Sequence, residues 1–186
     1  MQIVLNEKNL HTILKKSSEI LTRGGMIVYP SDTVYGIAVD GTNQQAVQEL
    51  ADFKGRRSDQ KFSYNFSDIE MIKKYHSLSE RQEEILRKYL PGPFTFIIIE
   101  NLSVRIPRDN VVTEIVKYFG KPTTATSANM TGKPTVSSIK ALDAKIYLKA
   151  DLIIEDVDFQ EHKPSTVVDI SKEKFIVLRE GELPFP

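Results

Sequence analysis

The amino-acid sequence predicts one α/β domain, residues 1–186, in which helices flank a single twisted, mixed sheet. Short apolar runs rich in β-branched residues alternate with segments of helical periodicity through most of the chain. Hydrophobic residues make up 40% and charged residues 27% of the sequence, which is the balance of a globular protein. No internal repeat or linker divides the chain, so we expect one domain.

The first half of the chain alternates helix and strand signals. Apolar residues recur at helical spacing over residues 10–21, and Gly24-Gly25 ends this helix. Two strands follow at residues 26–29 and 34–39. The helical period returns over residues 46–53 and leads into a basic loop. A short strand with alternating faces is predicted next, at residues 62–66.

The second half begins with a capping box, in which Ser79 is followed three residues later by Gln82. The helix that it caps ends before the turn at residues 91–93. Helical periodicity also covers residues 111–119 and, more weakly, 137–147. Six β-prone runs complete the predicted sheet, at residues 94–99, 104–106, 123–126, 152–154, 166–170 and 175–178.

Composition excludes several classes of function. The 25 basic and 25 acidic side chains cancel, so any RNA contact requires a local patch. The chain has no cysteine, which excludes disulfides, thiolate metal sites and a cysteine nucleophile. His11, His76 and His162 lack metal-ligand spacing, and we expect the first two to be exposed. We expect a soluble, cytoplasmic protein, because no signal peptide or apolar run of about 20 residues is present.

A basic loop at residues 54–61 is the first candidate site. Lys54, Arg56, Arg57 and Lys61 surround a glycine and short polar residues. Arginine offers a planar fork for phosphate oxygens, lysine a compact charge, and glycine close backbone approach. The loop is therefore a candidate phosphate site. The alternative is a solvated loop whose cations favour the end of the preceding helix.

Two hydroxyl-rich segments are further candidates. In residues 29–36, hydroxyls and backbone amides could recognise a small amino acid or carboxylate, whereas the alternative is a connecting turn in which Asp32 bonds its own backbone. In residues 123–135, a strand passes into small polar residues, as at the ligand-binding edges of α/β sheets, and the alternative is a loop of turn formers. Ser127 is not expected to be a nucleophile, because no Gly-x-Ser-x-Gly surrounds it.

Two arginines near predicted strands also stand out. Arg105 lies within an apolar strand, so an inward orientation would require a partner or an anionic ligand, and an edge strand is the alternative. Arg179 follows the last strand, and the alternative there is a surface residue.

Seven short motifs, in one order over nearly the whole chain, resemble the YrdC family of L-threonylcarbamoyl-AMP synthases. They are Tyr-Pro-Ser-Asp-Thr-Val-Tyr-Gly from Tyr29, Lys-x-Arg from Lys54, Pro-Gly-Pro-Phe-Thr from Pro91, Val-Arg-Ile-Pro from Val104, Ser-Ala-Asn-Met-Thr-Gly-Lys-Pro from Ser127, Ser-Thr-Val-Val-Asp from Ser165 and Leu-Arg-Glu-Gly from Leu178. Each motif alone is weak, and their shared order makes the resemblance specific.

The resemblance implies a fold and an activity. The fold is a YrdC/RibB-like α/β sheet around a deep, concave, basic cavity, in the short form without an appended C-terminal domain. The activity is the condensation of L-threonine, bicarbonate and ATP into threonylcarbamoyl-AMP and pyrophosphate, for threonylcarbamoyladenosine modification of tRNA. Mg²⁺ would arrive with ATP, since no carboxylate cage is evident. Expected partners are tRNA or tRNA-modifying transferases, with the protein a monomer or weak dimer and no membrane contact.

The resemblance also assigns residues to substrates. The residues implied to hold threonine are Thr33, Asn65, Arg105, Ala125 and Ser165. Those implied to face ATP are Lys54, Arg56, Gln60, Asn101, Ser127, Asn129, Thr135 and Arg179. Carbamate attack on the α-phosphate needs positive charge and positioning, which Lys54, Arg56, Ser127 and Asn129 would supply without a covalent nucleophile or a protein metal site.

The chain differs from the family pattern on the substrate-facing loop. Arg57 stands where proline is usual, Lys61-Phe62 where Pro-Leu is usual, and Asn65 where histidine is usual. These differences favour an alternative, a YciO-like protein that binds RNA on a concave basic surface through Arg57 and Lys61. A carbamoyl-transferring relative acting in hydrogenase maturation is a more remote alternative, because its accompanying zinc-finger and acylphosphatase-like segments are absent.

Overall fold

The structure is a computed structural model that describes residues 1–56, 61–108, 110–160 and 162–186. The strands in these ranges are β1 (Gln2–Val4), β2 (Ile27–Tyr29), β3 (Gly36–Ala38), β4 (Ser63–Asn65), β5 (Phe94–Ile99), β6 (Leu102–Arg105), β7 (Thr123–Ser127), β8 (Leu152–Glu155), β9 (Thr166–Asp169) and β10 (Ile176–Arg179). The helices are α1 (Leu10–Thr22), α2 (Gln44–Lys54), α3 (Ile69–Tyr75), α4 (Glu80–Tyr89), α5 (Val111–Phe119) and α6 (Ala144–Lys149), with a 3₁₀ helix at Ile139–Ala141.

All ten strands join one mixed sheet, as the alternating pattern predicts. Its order is β1-β8-β2-β3-β7-β4-β6-β5-β9-β10. The pairs β1–β8, β2–β8, β4–β6 and β5–β9 are parallel, and the other neighbouring pairs are antiparallel. The prediction of a mixed α/β sheet with flanking helices is confirmed.

Two elements escaped prediction because they are short. Strand β1 has three residues and pairs in parallel with β8. Helix α3 has seven residues, too few for a clear helical period, and it is stabilised by its N-cap, Asp68, and by burial of Ile69 and Ile72.

Two predicted features are corrected. A single helix was predicted weakly over residues 137–147, but the structure has the 3₁₀ helix followed by α6. The Asp143 side chain accepts a hydrogen bond from Lys145 N and so caps the start of α6 as a separate helix. His76 was expected to be exposed, but it is half-buried against the edge of Phe66, with ring centroids 6.1 Å apart. This burial lowers its pKa below 6.5. His11 is exposed, as predicted.

The core leaves one part of the sheet face free for a site. Around β2 and β8, α1 and α5 pack on one face and α2 and α6 on the other. In β5, Phe94, Phe96 and Ile98 face the core that includes α3 and α4, so the intervening Thr95 points to the opposite face. A cavity lies on that opposite face. Within the described residues, no helix is long and apolar enough to cross a membrane.

Gly181 fixes how the segment after β10 returns to β9. A Cβ atom there would lie 2.0 Å from Pro164 O and 2.6 Å from Thr166 N, both backbone atoms. Its own N–H donates to Thr166 Oγ1 over 3.0 Å. We expect Gly181→Ala to lower the free energy of unfolding by about 2 kcal/mol, because the added methyl must displace main chain. Urea denaturation measures this. Glu180→Ala, at the exposed neighbouring position, should be near neutral, and equal losses would contradict the steric cause.

Candidate functional site

An inner cavity of ≈ 200 Å³ opens where several strands of the sheet end or begin. Its wall is dominated by hydroxyl and guanidinium groups. Its lining includes Tyr29, Ser31, Thr33, Arg56, Ser63, Thr95, Arg105, Ala125, Ser127, Thr135, Ser165 and Arg179. None of the described lining residues is an aspartate or glutamate. A cavity with three arginines and no carboxylate in its described wall attracts an anionic ligand.

The loop between β2 and β3 is organised by Ser31. The Ser31 hydroxyl accepts hydrogen bonds from Thr33 N and Val34 N, over 3.1 and 3.2 Å, and donates to Val34 O. This turn buries Thr33, which is 1% exposed, at the cavity wall. Sequence reasoning placed Thr33 in the site but overlooked the role of Ser31 in holding it.

Arg105 is anchored by Asp32. One terminal nitrogen of Arg105 donates to Asp32 Oδ1 over 2.5 Å, with side chains only 11% and 9% exposed. The other carboxylate oxygen accepts from Arg108 N over 3.1 Å. Asp32 therefore does not simply bond its own backbone, and the turn alternative is wrong for it. The edge-strand alternative for Arg105 is also wrong, because β6 lies between β4 and β5.

Ser165 and Arg179 form another part of the wall of the inner cavity. Ser165 shares a 2.8 Å hydrogen bond with Thr95, and its carbonyl accepts two hydrogen bonds from the Arg179 guanidinium, over 3.1 and 2.7 Å. Burial, together with the charge of Arg105, lowers the pKa of Arg179. Arg179 is thus part of the cavity wall and more than a surface residue.

An outer cavity of ≈ 410 Å³ adjoins the inner one. Its described lining is basic and polar, consisting of Lys54, Arg56, Lys61, Ser127, Asn129, Thr131 and Gly132. Arg56 and Ser127 line both cavities, so the two spaces meet at these side chains.

The end of α2 carries the two cations of the Lys-x-Arg motif into this junction. Gly55 ends the helix at φ 64°, a left-handed conformation that glycine adopts without strain. Lys54 is 3% exposed and donates to Thr126 Oγ1 over 2.9 Å and to Ser127 O over 2.6 Å. Arg56 donates to Thr126 Oγ1 and Lys61 O, and lies over the Phe62 ring. The alternative of a freely solvated basic loop is wrong for Lys54.

Lys54 has an unusual proton affinity. Burial, and secondly the charge of Arg56, lower its pKa from 10.5 to about 7. Near neutral pH the amine is therefore poised between charged and neutral forms, which is common at functional sites.

The loop after β7 is held by Asn129. Its side-chain oxygen accepts from the Ser127 hydroxyl, and its side-chain nitrogen donates to Lys133 O. These bonds place the Ser127 and Asn129 side chains at the junction of the cavities. The Ser-x-Asn motif is thus a local unit with an evident geometric role.

Most residues predicted for the site line one of the two cavities. The exceptions are two asparagines that line neither cavity and two residues outside the described ranges. Asn65 is 0% exposed and lies behind Tyr29 without lining either cavity. Asn101 occupies the exposed turn between β5 and β6 at φ 64°, a conformation that asparagine tolerates, and lines neither cavity. Arg57 and Gln60 lie outside the described residues. Lys61, predicted for RNA, lines the outer cavity.

Sequence reasoning missed several lining residues. Ser63 and Thr95 line the inner cavity without having been assigned to it, whereas Tyr29 and Asp32 lie in the candidate segment 29–36 but were given no individual role in binding. The period-2 pattern of β5 could have indicated Thr95, because its neighbours Phe94 and Phe96 are both apolar. Within the described residues, no three His, Asp or Glu side chains cluster as metal ligands.

Comparison with known proteins identifies related sequences. Residues 19–181 match the Sua5, YciO and YrdC family model, which is described as "Telomere recombination". A putative threonylcarbamoyl-AMP synthase of Methanocaldococcus jannaschii is 29% identical over 97% of this chain and 91% of its own length.

Solved structures share the fold. Pyrococcus abyssi Sua5 complexed with L-threonine superposes with a TM-score of 0.89, at 24% identity over 99% of this chain. This chain spans 58% of the length of that protein. Escherichia coli YciO superposes with a TM-score of 0.84, at 21% identity over 97% of this chain and 94% of that one.

Proposed function

Since this chain belongs to the Sua5, YciO and YrdC family, we propose that it is an L-threonylcarbamoyl-AMP synthase. It condenses L-threonine, bicarbonate and ATP into threonylcarbamoyl-AMP and pyrophosphate. The Methanocaldococcus jannaschii relative, a putative threonylcarbamoyl-AMP synthase that matches nearly end to end, supports this activity. Delivery of the product to tRNA, directly or through transferase proteins, is part of the same proposal.

The observation that carries the proposal is the pair of cavities that meet at Arg56 and Ser127. The inner one is small and rich in donors, which suits an amino acid. The outer one contains Lys54, Arg56 and Lys61, which suits phosphates. An adenylate-forming reaction needs this arrangement, because the amino-acid derivative must reach the α-phosphate while the rest of the triphosphate lies beyond it.

The reaction requires positioning more than covalent catalysis. The threonine amine and bicarbonate form a carbamate with loss of water. A carbamate oxygen then attacks the α-phosphorus as the bond to the pyrophosphate oxygen breaks. Negative charge develops on the phosphate oxygens, where Arg56 and protonated Lys54 stabilise it. Ser127, with its hydroxyl held by Asn129, orients the nucleotide at the junction. Thr33, Arg105, Ala125 and Ser165 hold the amino acid, whereas Thr135 and Arg179 contact the nucleotide from the inner cavity.

Magnesium would accompany the nucleotide. The described walls of both cavities contain no carboxylate, so they do not form a protein-based magnesium site. Phosphate oxygens would be its ligands, and every protein role above is assigned without it.

The RNA-binding alternative has less support. Likeness to YciO at 21% identity concerns the fold alone. Lys61 lines the outer cavity together with Lys54 and Arg56, where nucleotide binding accounts for it. Zero net charge supplies no general attraction for RNA.

A product assay tests the proposal. Purified protein incubated with ATP, labelled bicarbonate and L-threonine should release labelled threonylcarbamoyl-AMP together with pyrophosphate. Omitting threonine should abolish both products. Pyrophosphate release that is independent of threonine, or no product above a control without enzyme, would refute the synthase activity.

The pKa of Lys54 predicts pH-dependent nucleotide binding. As pH rises through about 7, the folded protein loses the Lys54 charge, so ATP affinity should fall between pH 6 and pH 8.5. Calorimetry at several pH values measures this, and binding near neutrality should take up protons. Stability should change in the opposite direction. The folded state bears the cost of a buried charge below about pH 7, and this cost disappears as pH rises towards 10.5.

Lys54→Met provides the matched control. It removes the titrating group, so ATP affinity should become weaker and lose this part of its pH dependence. An unchanged pH profile in Lys54→Met would contradict the assignment to Lys54.

A further inference from the structure

Tyr29 occupies a rigid place in the wall of the inner cavity. It ends β2 and is only 2% exposed. A Cβ atom at Gly36 would lie 2.5 Å from Tyr29 Cζ and 2.7 Å from its hydroxyl oxygen, so only glycine leaves room for the ring. The phenol hydroxyl is therefore held at a defined point of the wall.

Asn65 determines the direction of the hydrogen bond at this hydroxyl. Its side-chain nitrogen lies 2.9 Å from the Tyr29 hydroxyl and 3.3 Å from Thr124 O. A carbonyl oxygen only accepts, so an Asn65 nitrogen facing Thr124 O forms a hydrogen bond where the amide oxygen would be repelled. In this orientation Asn65 Oδ1 is buried and has no partner among the described residues. The same NH₂ group then donates to Tyr29. The Tyr29 oxygen is an acceptor in this bond, and its own proton points elsewhere.

The Tyr29 proton has no protein acceptor in the described part of the chain, where the bond from Asn65 is the only one that its hydroxyl makes. Burial raises the pKa of Tyr29, so the phenol keeps its proton. A buried donor without an acceptor costs free energy unless a ligand supplies one. Tyr29 lines the inner cavity, so a ligand bound there would lie beside it.

Arg105 provides a second unpartnered donor in the same cavity. One of its terminal nitrogens is taken by Asp32, but its Nε is buried and has no partner among the described residues. Arg105 and Tyr29 line the same cavity, and the charge of Arg105 partly offsets the effect of burial on the pKa of Tyr29. Two neighbouring donors, one on a cation, match a carboxylate.

We propose that the Tyr29 hydroxyl donates a hydrogen bond to the carboxylate of the amino-acid substrate, and that Asn65 is a positioning residue which sets the direction of this bond. Asn65, which the family resemblance assigned to threonine, thus acts on the ligand through Tyr29. The inference rests on the proposed function, because that function supplies the amino acid. It goes further by naming the group that selects for the carboxylate.

Binding measurements on Tyr29→Phe test the direct contact. NMR titrations compare L-threonine with 1-amino-2-propanol, which has the same amine and hydroxyl but no carboxylate. Tyr29→Phe should reduce the preference for threonine over the amino alcohol by about tenfold or more. ATP affinity and melting temperature should stay close to the wild-type values. Tyr64→Phe is the matched control, since it removes a phenol hydroxyl that lines neither cavity, and it should leave the preference unchanged.

Asn65→Asp tests the direction of the bond. It nearly preserves the shape of the side chain but replaces the donor with an acceptor, so the Tyr29 proton turns towards the new carboxylate. Threonine affinity should fall about as far as in Tyr29→Phe, and the double variant should lose no more than either single one. Additive losses would contradict the positioning role of Asn65.

The outcomes separate this inference from the proposed function. An unchanged preference in Tyr29→Phe, in a protein that binds threonine and forms the adenylate, overturns the role of Tyr29 alone. Threonine binding that weakens as expected in Tyr29→Phe, without adenylate formation by the wild type, supports Tyr29 and overturns the synthase activity. A wild-type protein that does not bind threonine overturns both.

Discussion

Replacing Arg56 with alanine is expected to lower the turnover of adenylate formation by about 10²- to 10³-fold, the usual cost of removing a positioned donor from a charged transition state. Arg56 lines both cavities, and in the proposed reaction the amino-acid derivative and the α-phosphate meet at their junction. Its side-chain contacts with the described residues are few. They are hydrogen bonds to Thr126 and Lys61 and packing over Phe62. Their loss should cost about 1 kcal/mol, a small shift in melting temperature. Steady-state product formation and thermal melts measure the two effects.

Arg56→Lys and Arg81→Ala are the matched controls. Lysine keeps the charge but loses the planar fork, so it should restore only part of the activity. Arg81 is half-buried, lines neither cavity and donates to Lys172 O, and its replacement should leave turnover unchanged. Arg56→Ala could instead lower the melting temperature so far that unfolding at the assay temperature accounts for the whole loss of activity. In that case Arg56 is structural and its ligand role is refuted.

Much of the fold could be predicted because most elements carry a complete local pattern. The capping box at Ser79 and the apolar run of β5 identify their elements without tertiary information. Strand β1 and helix α3 are short, and their stability comes from β8 and from the core beside α4. Such elements depend on contacts that a local pattern does not contain. The order of the ten strands depends on long-range pairing and was not predictable from periodicity.

The candidate site was predictable where function is concentrated in contiguous motifs. Lys54 with Arg56, and Ser127 with Asn129, are each two residues apart, and the structure brings both pairs to one junction. Support residues were harder to find. Asp32 lies 73 positions from its partner Arg105, so only the folded chain reveals the pair.

Asn65 and Asn101 were assigned to substrates through matching positions in the family pattern. In the structure Asn65 is turned towards Tyr29 and Asn101 forms a turn, and neither lines a cavity. A matching position alone does not say whether a side chain contacts a ligand directly. Whether a side chain can reach a ligand depends on the direction in which it points, and in a strand the sheet register sets that direction.

The Arg105–Asp32 pair leads to the largest expected effect on stability. Asp32→Ala leaves the Arg105 guanidinium largely buried without its counter-charge, and it also removes the acceptor for Arg108 N. Breaking a buried pair in this way usually costs about 3–5 kcal/mol. Urea denaturation without ligand should show this loss. Threonine should bind less tightly as well, because the loop that carries Thr33 loses its tie to β6.

A double variant separates the buried charge from the lost contact. Asp32→Ala combined with Arg105→Met removes both charges and keeps apolar bulk at position 105, so it should be more stable than Asp32→Ala alone. If the double variant is instead less stable by the sum of the two single losses, an uncompensated charge is not the cause. We expect the double variant to recover stability but not threonine binding, because Arg105 has two separable roles. Its charge requires Asp32 for stability, and its Nε, which has no partner among the described residues, is the proposed donor to the ligand.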